Sequence, residues 1–196
     1  MKTIFLLRHA KSSWDDVRLD DFDRPLSSRG IKSCKKMGKY LKKNRLIPDI
    51  VYCSSAIRAK QTWELVNRIV EKKENVIYED SLYMSDFSNF INIIKKTKNN
   101  FKNLMIVSHN PGIENLALEL SKDKNNKIYE KINIKFPTGA LIIINFNLNN
   151  WSKVDCKKGK LYEFVKPKEL WLFFFNRNVK VLLKKGLQRF FYFFLL

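Results

Sequence analysis

The sequence predicts an α/β fold in which a mainly parallel central sheet has an antiparallel edge. Two short apolar runs, residues 4–7 and 104–107, are each followed at once by polar, catalytically capable side chains, which include His9 and His109. Such a run is typical of a strand buried in a parallel sheet, and its carboxyl end opens into the crevice where open α/β sheets bind ligands. Strand and helix patterns alternate through the first two thirds of the chain and then stop alternating, which predicts the antiparallel edge.

The chain begins with a strand, a loop and a helix. Residues 1–7 are interpreted as the first strand, and residues 11–29, rich in Asp, Ser and Pro, as a loop over the crevice. Residues 31–43 carry apolar side chains at helical spacing and lysines on the other face, which predicts an amphipathic helix. Pro48 then breaks the chain before a second strand at residues 49–53.

A second helix is expected after this strand. It runs to about Glu71, and the serine pair Ser54-Ser55 is a natural N-cap because serine side chains accept hydrogen bonds from the first turn. Arg58 then lies in that first turn. A short third strand at residues 76–78 follows, with another helix through the segment that contains Ile91, Ile94 and Lys95.

The fourth strand, residues 104–107, leads into His109 and then into a helix that Pro111 can open, because proline is tolerated in a first helical turn. Residues 139–146 and 160–165 then read as two strands without a long helix between them. We expect these two strands to form the antiparallel edge pair.

Length and composition fit one domain followed by an extension. The chain has 196 residues, of which 45% are hydrophobic, and this is ample for a single core in residues 1–170. Residues 171–196 contain five basic residues, no acidic ones and two aromatic clusters, with no stretch of the ~20 apolar residues that a transmembrane helix needs. A basic segment lying on an anionic membrane is one interpretation. We favour two other interpretations over membrane binding: the segment packs against the domain or a second subunit, or it is a poorly ordered extension.

The formal charge of +19 suggests a nucleic-acid or anionic partner. However, the lysines are scattered among asparagines, as codon bias in an AT-rich genome could produce, so we expect a solvated surface rather than a nucleic-acid site.

Cys34, Cys53 and Cys156 are widely spaced and form no Cys-x-x-Cys pair, which favours a reducing cytoplasm over a disulfide framework or a zinc site. The N-terminus resembles a strand rather than a secretory signal. A cytoplasmic enzyme is therefore expected, as a monomer or a dimer.

The two histidines are the only ones in the chain, and both follow predicted strands. If those strands are parallel neighbours, His9 and His109 face each other across one pocket, with Arg8 as a fixed positive charge. A lone histidine after a strand is more often a hydrogen-bonded structural residue. Two of them beside an arginine favour phosphoryl chemistry, because histidine can act as a nucleophile, a proton carrier or a phosphate-binding cation.

Six segments agree with this interpretation, and together they resemble the histidine phosphatase superfamily, which shares its fold with cofactor-dependent phosphoglycerate mutases. Within it, the sequence is similar to the SixA-type phosphohistidine phosphatases. The resemblance covers residues 1–170 and implies a three-layer α/β/α sandwich of the phosphoglycerate mutase-like kind. The segments that carry it, in chain order, are Leu7-Arg8-His9-Ala10, Asp23-Arg24-Pro25-Leu26-Ser27-Ser28-Arg29-Gly30, Cys53-Ser54-Ser55-Ala56-Ile57-Arg58-Ala59-Lys60-Gln61-Thr62, Val107-Ser108-His109-Asn110-Pro111-Gly112, Phe136-Pro137-Thr138-Gly139-Ala140 and Val165-Lys166-Pro167.

The resemblance implies a covalent mechanism without a metal or cofactor. His9 attacks phosphorus and becomes a transient phosphohistidine that water hydrolyses, while Arg8, Arg58 and His109 surround the phosphoryl oxygens. Arginine forks match phosphate oxygens, and phosphoryl transfer depends mainly on positioning and charge stabilisation. We expect the non-attacking nitrogen of His9 to donate to a carbonyl or another acceptor, and His109 to act protonated. A structural salt bridge is the alternative role for each arginine.

The proton donor is less clearly marked. Acid-phosphatase relatives carry an acidic residue after the second histidine, where this chain has Asn110. Mutase-like relatives place a carboxylate after the third strand, which makes Asp80 the best candidate and Glu79 the second. Asn110, Arg24 and Ser13 are expected to contact substrate. Imidazole leaves phosphorus more easily than an alkoxide does, so a strong general acid matters less for its departure. The lack of a clearly marked proton donor therefore favours phosphohistidine over ordinary phosphomonoesters as the substrate.

The leading hypothesis is a metal-independent phosphatase that removes phosphate from histidine in a protein such as a phosphotransfer component, with the basic surface steering acidic partners. The alternatives are a broader phosphatase for small phosphorylated molecules, a phosphomutase, and a non-catalytic basic protein that binds RNA or membrane. The mutase is disfavoured because the segment between Arg58 and His109 is short for the loops that hold a bisphosphorylated cofactor.

Overall fold

The structure, a computed structural model, describes residues 1–71 and 75–170. Six strands form one sheet in the order β3-β2-β4-β1-β5-β6. The strands are β1 Lys2–Arg8, β2 Ile50–Ser54, β3 Val76–Glu79, β4 Asn103–Ser108, β5 Leu141–Phe146 and β6 Lys160–Val165. The α-helices in the described ranges are α1 Ser28–Lys43, α2 Ile57–Val70, α3 Phe87–Lys96, α4 Gly112–Leu120 and α5 Lys127–Ile134.

The sheet is parallel on one side of β1 and antiparallel on the other. β1 pairs in parallel with β4, β4 with β2, and β2 with β3. On its other side β1 pairs antiparallel with β5, which pairs antiparallel with β6. The predicted antiparallel edge pair is therefore confirmed. The carboxyl ends of β1, β2 and β4 meet at one edge of the sheet, where the polar side chains of the site begin.

The central strands are buried on both faces, and their alternating side chains divide the core into two clusters. In β1, Ile4 and Leu6 pack with α3, α4 and α5, whereas Phe5 and Leu7 pack with α1 and α2. All four side chains are at most 2% exposed. Helices therefore cover the two faces of the sheet, and the molecule is an α/β/α sandwich, as predicted.

Helix boundaries differ from the predictions where capping decides them. α1 begins at Ser28, because the Ser27 side chain accepts from the Gly30 amide and acts as the N-cap. The predicted serine cap of α2 is wrong: its N-cap is Ala56, and Ser54 instead ends β2. Arg58 lies in the first turn of α2, as predicted.

Several short elements were not predicted, among them one in the first loop and one before β5. A short 3-10 helix, Asp21–Asp23, lies in the loop that joins β1 to α1. Helix α5 lies between α4 and β5, in a segment rich in lysine and asparagine. The predicted C-terminal extension and its membrane contact fall outside the described residues. Within the described ranges, every helix is too short or too polar to cross a lipid bilayer.

Candidate active site

The sheet brings His9 and His109 together. β1 and β4 are parallel neighbours in register, and the His9 amide donates to the Ser108 carbonyl at 3.0 Å, which extends the pairing by one residue. The two imidazole rings lie with their centroids 4.8 Å apart and tilted by 44°. Both residues are nearly buried, with exposures of 8% for His9 and 4% for His109. The two histidines thus lie together at the ends of neighbouring parallel strands, as predicted.

A carbonyl group fixes the proton on the His9 ring. Nδ1 lies 2.8 Å from the Ala10 oxygen, and because a carbonyl oxygen only accepts, Nδ1 carries the hydrogen and Nε2 keeps its lone pair. Burial, with the charges of Arg58 and Arg8 adding to it, lowers the pKa of His9 to about 3. His9 is therefore neutral at physiological pH, in the form that a nucleophile requires.

His109 is held by the serine that ends β2. Its Nε2 lies 2.8 Å from the Ser54 Oγ, which also accepts from the Ala56 amide. Burial and the neighbouring His9 and Arg58 lower the pKa of His109 to about 3, so His109 is neutral in this structure, and its protonated form beside a bound phosphoryl group stays a prediction. If the Ser54 hydroxyl donates to Nε2, the single ring hydrogen is on Nδ1, which is buried without a partner among the described residues.

Two arginines approach this pocket from different elements. Arg8 is the last residue of β1; its Nη1 donates to the Phe136 carbonyl, and its Nε is buried without a partner among the described residues. Burial lowers the pKa of Arg8, and the Glu114 carboxylate opposes that shift. Arg58 is 5% exposed and donates to Asp21 through both terminal nitrogens, to the main-chain carbonyl and to Oδ2, the latter at 2.7 Å.

Asp21 links three parts of the site. Its Oδ2 accepts from the Arg58 guanidinium and from the Tyr83 hydroxyl, the latter at 2.8 Å, and its Oδ1 accepts from Arg24 at 3.2 Å. The Tyr83 ring in turn packs edge-on against His109, with centroids 5.3 Å apart. Burial alone would raise the pKa of Asp21, but the Tyr83 hydrogen bond and the Arg58 charge outweigh it, and that pKa is lowered. The carboxylate is therefore ionised.

Asn110 follows His109 directly, and its amide is engaged within the protein. Nδ2 donates to the Glu114 carboxylate and lies 3.4 Å from the Phe136 carbonyl, whereas Oδ1 is buried without a partner among the described residues. The same carbonyl accepts from Arg8. Burial raises the pKa of Glu114, partly offset by the charge of Arg8 and the Asn110 hydrogen bond. This group forms a second polar cluster on the β4 side of the pocket.

A family-wide comparison agrees with this geometry. A model of the histidine phosphatase superfamily (branch 1) matches residues 4–93, which include His9, Arg8 and Arg58. An uncharacterized protein of Mycobacterium leprae is 32% identical over 166 residues, which cover 83% of this chain and 100% of the relative. The chain belongs to the histidine phosphatase superfamily.

Solved structures show the same architecture for this superfamily member. The SixA structure from Agrobacterium tumefaciens has a TM-score of 0.72 at 23% identity and covers 85% of this chain and 98% of its own. The SixA structure from Nakamurella multipartitia has a TM-score of 0.75 at 22% identity and covers 85% and 96%, respectively. The prediction of a phosphoglycerate mutase-like fold is confirmed.

Two of the residues expected to bind substrate lie in the loop of this phosphatase-family fold. Arg24 is only 4% exposed, and its Nε and Nη2 donate to the Ser13 carbonyl at 3.1 and 2.9 Å. The Trp14 ring stacks on its guanidinium at 3.0 Å, and the Ser13 Oγ accepts from the Asp15 amide. These contacts favour a structural role for Arg24 and Ser13 in the loop, and their contact with substrate stays a prediction.

The expected proton donor is not joined to this network. Asp80 is exposed on a short 3-10 helix after β3, where its carbonyl accepts from the Tyr83 amide, and its carboxylate makes no hydrogen bond with the described residues. Glu79, the second candidate, ends β3. The carboxylate whose charge acts on both histidines is instead that of Asp21.

Sequence reasoning missed Asp21 and the role of Ser54. Five aspartates lie between residues 15 and 23, and no periodicity distinguishes Asp21 from the rest. Ser54 did carry a signal in the sequence, because it directly follows the predicted strand at residues 49–53. In the structure Cys53 of β2 lies opposite Val107 of β4, which places Ser54 beside the end of β4. Within the described ranges, no group of three or more His, Cys, Asp or Glu side chains is arranged to hold a metal ion.

Proposed function

We propose that this protein is a metal-independent phosphohistidine phosphatase that acts through a covalent phosphohistidine on His9. The observation that carries the proposal is the tautomer of His9. Its Nδ1 is committed to the Ala10 carbonyl, so Nε2 presents a lone pair beside His109 and within the field of two arginines. A neutral, oriented imidazole surrounded by positive charge is suited to attack a phosphoryl dianion.

In the first step, Nε2 of His9 attacks phosphorus while the bond from phosphorus to the substrate nitrogen breaks. The other ring nitrogen of the substrate phosphohistidine carries a hydrogen, so the imidazole keeps the electron pair of the broken bond and departs neutral without taking a proton from the protein. Arg8 and Arg58 balance the negative charge on the equatorial oxygens, and His109 donates a hydrogen bond from its remaining N–H. The Ala10 carbonyl stabilises the positive charge that develops on His9, because it accepts from Nδ1 throughout.

In the second step, water attacks the phosphorylated His9. An oxygen–phosphorus bond forms, the bond to Nε2 breaks, and the proton lost by water leaves with the phosphate or passes to solvent. His9 returns to the neutral tautomer from which it started. Both steps use the same positive groups, so the protein does not need to rearrange between them.

The carboxylates of the site favour a labile substrate. Asp21 is ionised and hydrogen-bonded to two arginines and to Tyr83, so it has no proton to give to a leaving group. Phosphohistidine needs little acid assistance, because a neutral imidazole is a good leaving group. The similarity to SixA structures, described as phosphohistidine phosphatases, supports the same choice.

One observation favours a second candidate, a phosphatase for small phosphomonoesters. Burial raises the pKa of Glu114, which hydrogen-bonds Asn110 beside Arg8. A protonated Glu114 at that position would supply the acid that an alkoxide leaving group requires. Its charge acts on Arg8 rather than on the histidines, so we favour phosphohistidine.

The test is release of phosphate, in the presence of EDTA, from a phosphohistidine peptide and from p-nitrophenyl phosphate. We expect the peptide to be hydrolysed preferentially, and both His9→Ala and Arg58→Ala to lower turnover by about a hundredfold or more. Arg68→Ala is the matched control, since Arg68 is exposed in the last turn of the same helix α2. Preferential turnover of the ester would favour the second candidate, and turnover that survives His9→Ala would refute both.

A further inference from the structure

We propose that Asp21 is a positioning residue that fixes the guanidinium of Arg58 in the orientation that binds the phosphoryl group. This inference rests on the proposed function, in which Arg58 is a phosphoryl ligand. Neither the sequence motifs nor the expected acid candidates pointed to Asp21. Asp21 contacts Arg58, Arg24 and Tyr83, and it occupies one edge of the Arg58 guanidinium.

Asp21 occupies one edge of the guanidinium and leaves the rest available. The side chain of Arg58 has five N–H donors in a rigid plane. One hydrogen on Nη1 is given to the main-chain carbonyl of Asp21 and one on Nη2 to its carboxylate. The other N–H groups are free of Asp21, and the charge of Arg58 acts on both histidines. The free part of the fork is thus available to a phosphoryl group bound beside them.

Asp21 is itself fixed from two further directions. Arg24, which is buried, donates to Oδ1, and the Tyr83 hydroxyl donates to Oδ2. Phe22, the next residue, packs edge-on against the Tyr83 ring with centroids 5.0 Å apart. The loop before α1, the first turn of α2 and the segment after β3 are therefore joined at this carboxylate.

This arrangement provides preorganisation. An unrestrained arginine side chain loses rotamer entropy when it is fixed, and a planar fork gives its full benefit only in one orientation. Since the protein holds Arg58 before substrate arrives, the loss is not incurred at the moment of binding or reaction. Asp21 acts through Arg58, and the network leaves it no free proton to transfer.

The experiment measures orthovanadate binding by titration calorimetry in a double-mutant cycle. We expect Asp21→Asn to weaken binding about tenfold, which corresponds to about 1.4 kcal/mol, because directly bonded charged groups are energetically coupled. Asp21→Glu, which keeps the charge, should recover part of the affinity. In the Arg58→Ala background, Asp21→Asn should have no further effect. Tyr83→Phe, which removes one hydrogen bond to Asp21, should weaken binding by a smaller factor.

Asp23→Asn is the matched control. Asp23 is exposed in the same 3-10 helix and loses the same charge, so its substitution should leave vanadate affinity unchanged. Equal affinities of Asp21→Asn and wild type, or a full tenfold effect of Asp21→Asn that persists without Arg58, would overturn the inference while leaving the proposed function intact. A wild-type protein that neither binds vanadate nor hydrolyses either substrate would overturn both.

Discussion

At the scale of single residues, the site depends on keeping two imidazoles neutral inside a positively charged pocket. Burial disfavours the imidazolium form, and the nearby arginines act in the same direction. The expected reactivity of His9 and the depressed pKa therefore have the same cause. This arrangement lowers the stability of the folded protein at acidic pH, because a histidine in the unfolded chain binds a proton there and the buried histidine does not.

The first prediction follows from that difference in proton binding. The pKa of His9 is about 3 in the folded protein and about 6.5 when unfolded, so the unfolded state binds more protons between these values. Stability is therefore lost as pH falls from about 6.5, by at most about 1.4 kcal/mol per pH unit for each histidine. His9→Asn should remove its share, so the variant should gain stability relative to wild type on acidification.

The measurement is urea unfolding of wild type and His9→Asn at about pH 7, 6.2 and 5.5, above the range where most carboxylates titrate. His109, the other histidine, is present in both proteins, and since His9 contributes to the lowering of its pKa, the difference between the two proteins includes that coupling. A difference in unfolding free energy that does not change with pH would show that His9 titrates normally in the folded protein.

Residues that follow from strand geometry were predictable, and residues that depend on loop conformation were not. His9, Arg8 and His109 could be placed together because parallel strands bring their carboxyl ends to one edge of the sheet. Asp21 contacts Arg58 from a position 37 residues earlier in the chain, inside a loop with no repeating pattern. Only the folded loop distinguishes it from its acidic neighbours.

At the scale of elements, the segment after β3 is pressed against the start of α4. A Cβ placed on Gly112, the first residue of α4, would lie 2.1 Å from the Ser85 carbonyl oxygen. Ser85 follows closely on Tyr83, which contacts both Asp21 and His109. The absence of a side chain at Gly112 therefore allows the close packing that positions Tyr83.

The second prediction concerns Gly112→Ala. Alanine improves helix propensity by about 1 kcal/mol, but a clash with a backbone atom is expected to dominate, with a net destabilisation of about 1–3 kcal/mol. The displaced segment should also weaken vanadate binding, because it carries Tyr83. Asn115→Ala, at an exposed position of the same helix, is the control and should leave both properties unchanged. A Gly112→Ala protein as stable as wild type would contradict the close approach to Ser85.

Elements with long apolar runs were predicted well from the sequence. Elements whose position depends on a few contacts were not. Strands β1, β2 and β4 contain nearly continuous buried runs, so their existence and direction followed from the sequence. Helix α5 has one fully buried side chain, Ile132, and its start is set by Asn126, whose side chain accepts from the Ile128 amide. Because this segment contains many asparagines, the sequence does not show which of them caps the helix.

At the scale of the whole molecule, charge and chemistry are distributed unevenly. The chain has a formal charge of +19, yet the loop before α1 holds five aspartates and one arginine between residues 15 and 23. One of those aspartates, Asp21, binds Arg58 at the pocket. The overall charge therefore reflects the general surface. In the site, the negative charges of carboxylates offset the positive charges of buried arginines.

Capture of the phosphorylated enzyme tests most directly whether the reaction passes through a covalent phosphohistidine on His9. Wild type and His9→Ala are mixed with a ³²P-labelled phosphohistidine peptide in EDTA, quenched with alkali on the millisecond scale and digested for peptide mapping. We expect an alkali-stable, acid-labile phosphate on the peptide that contains His9, formed and lost at rates that match turnover, and absent from His9→Ala. Turnover with no label on the enzyme, or label on a residue other than His9, would contradict it.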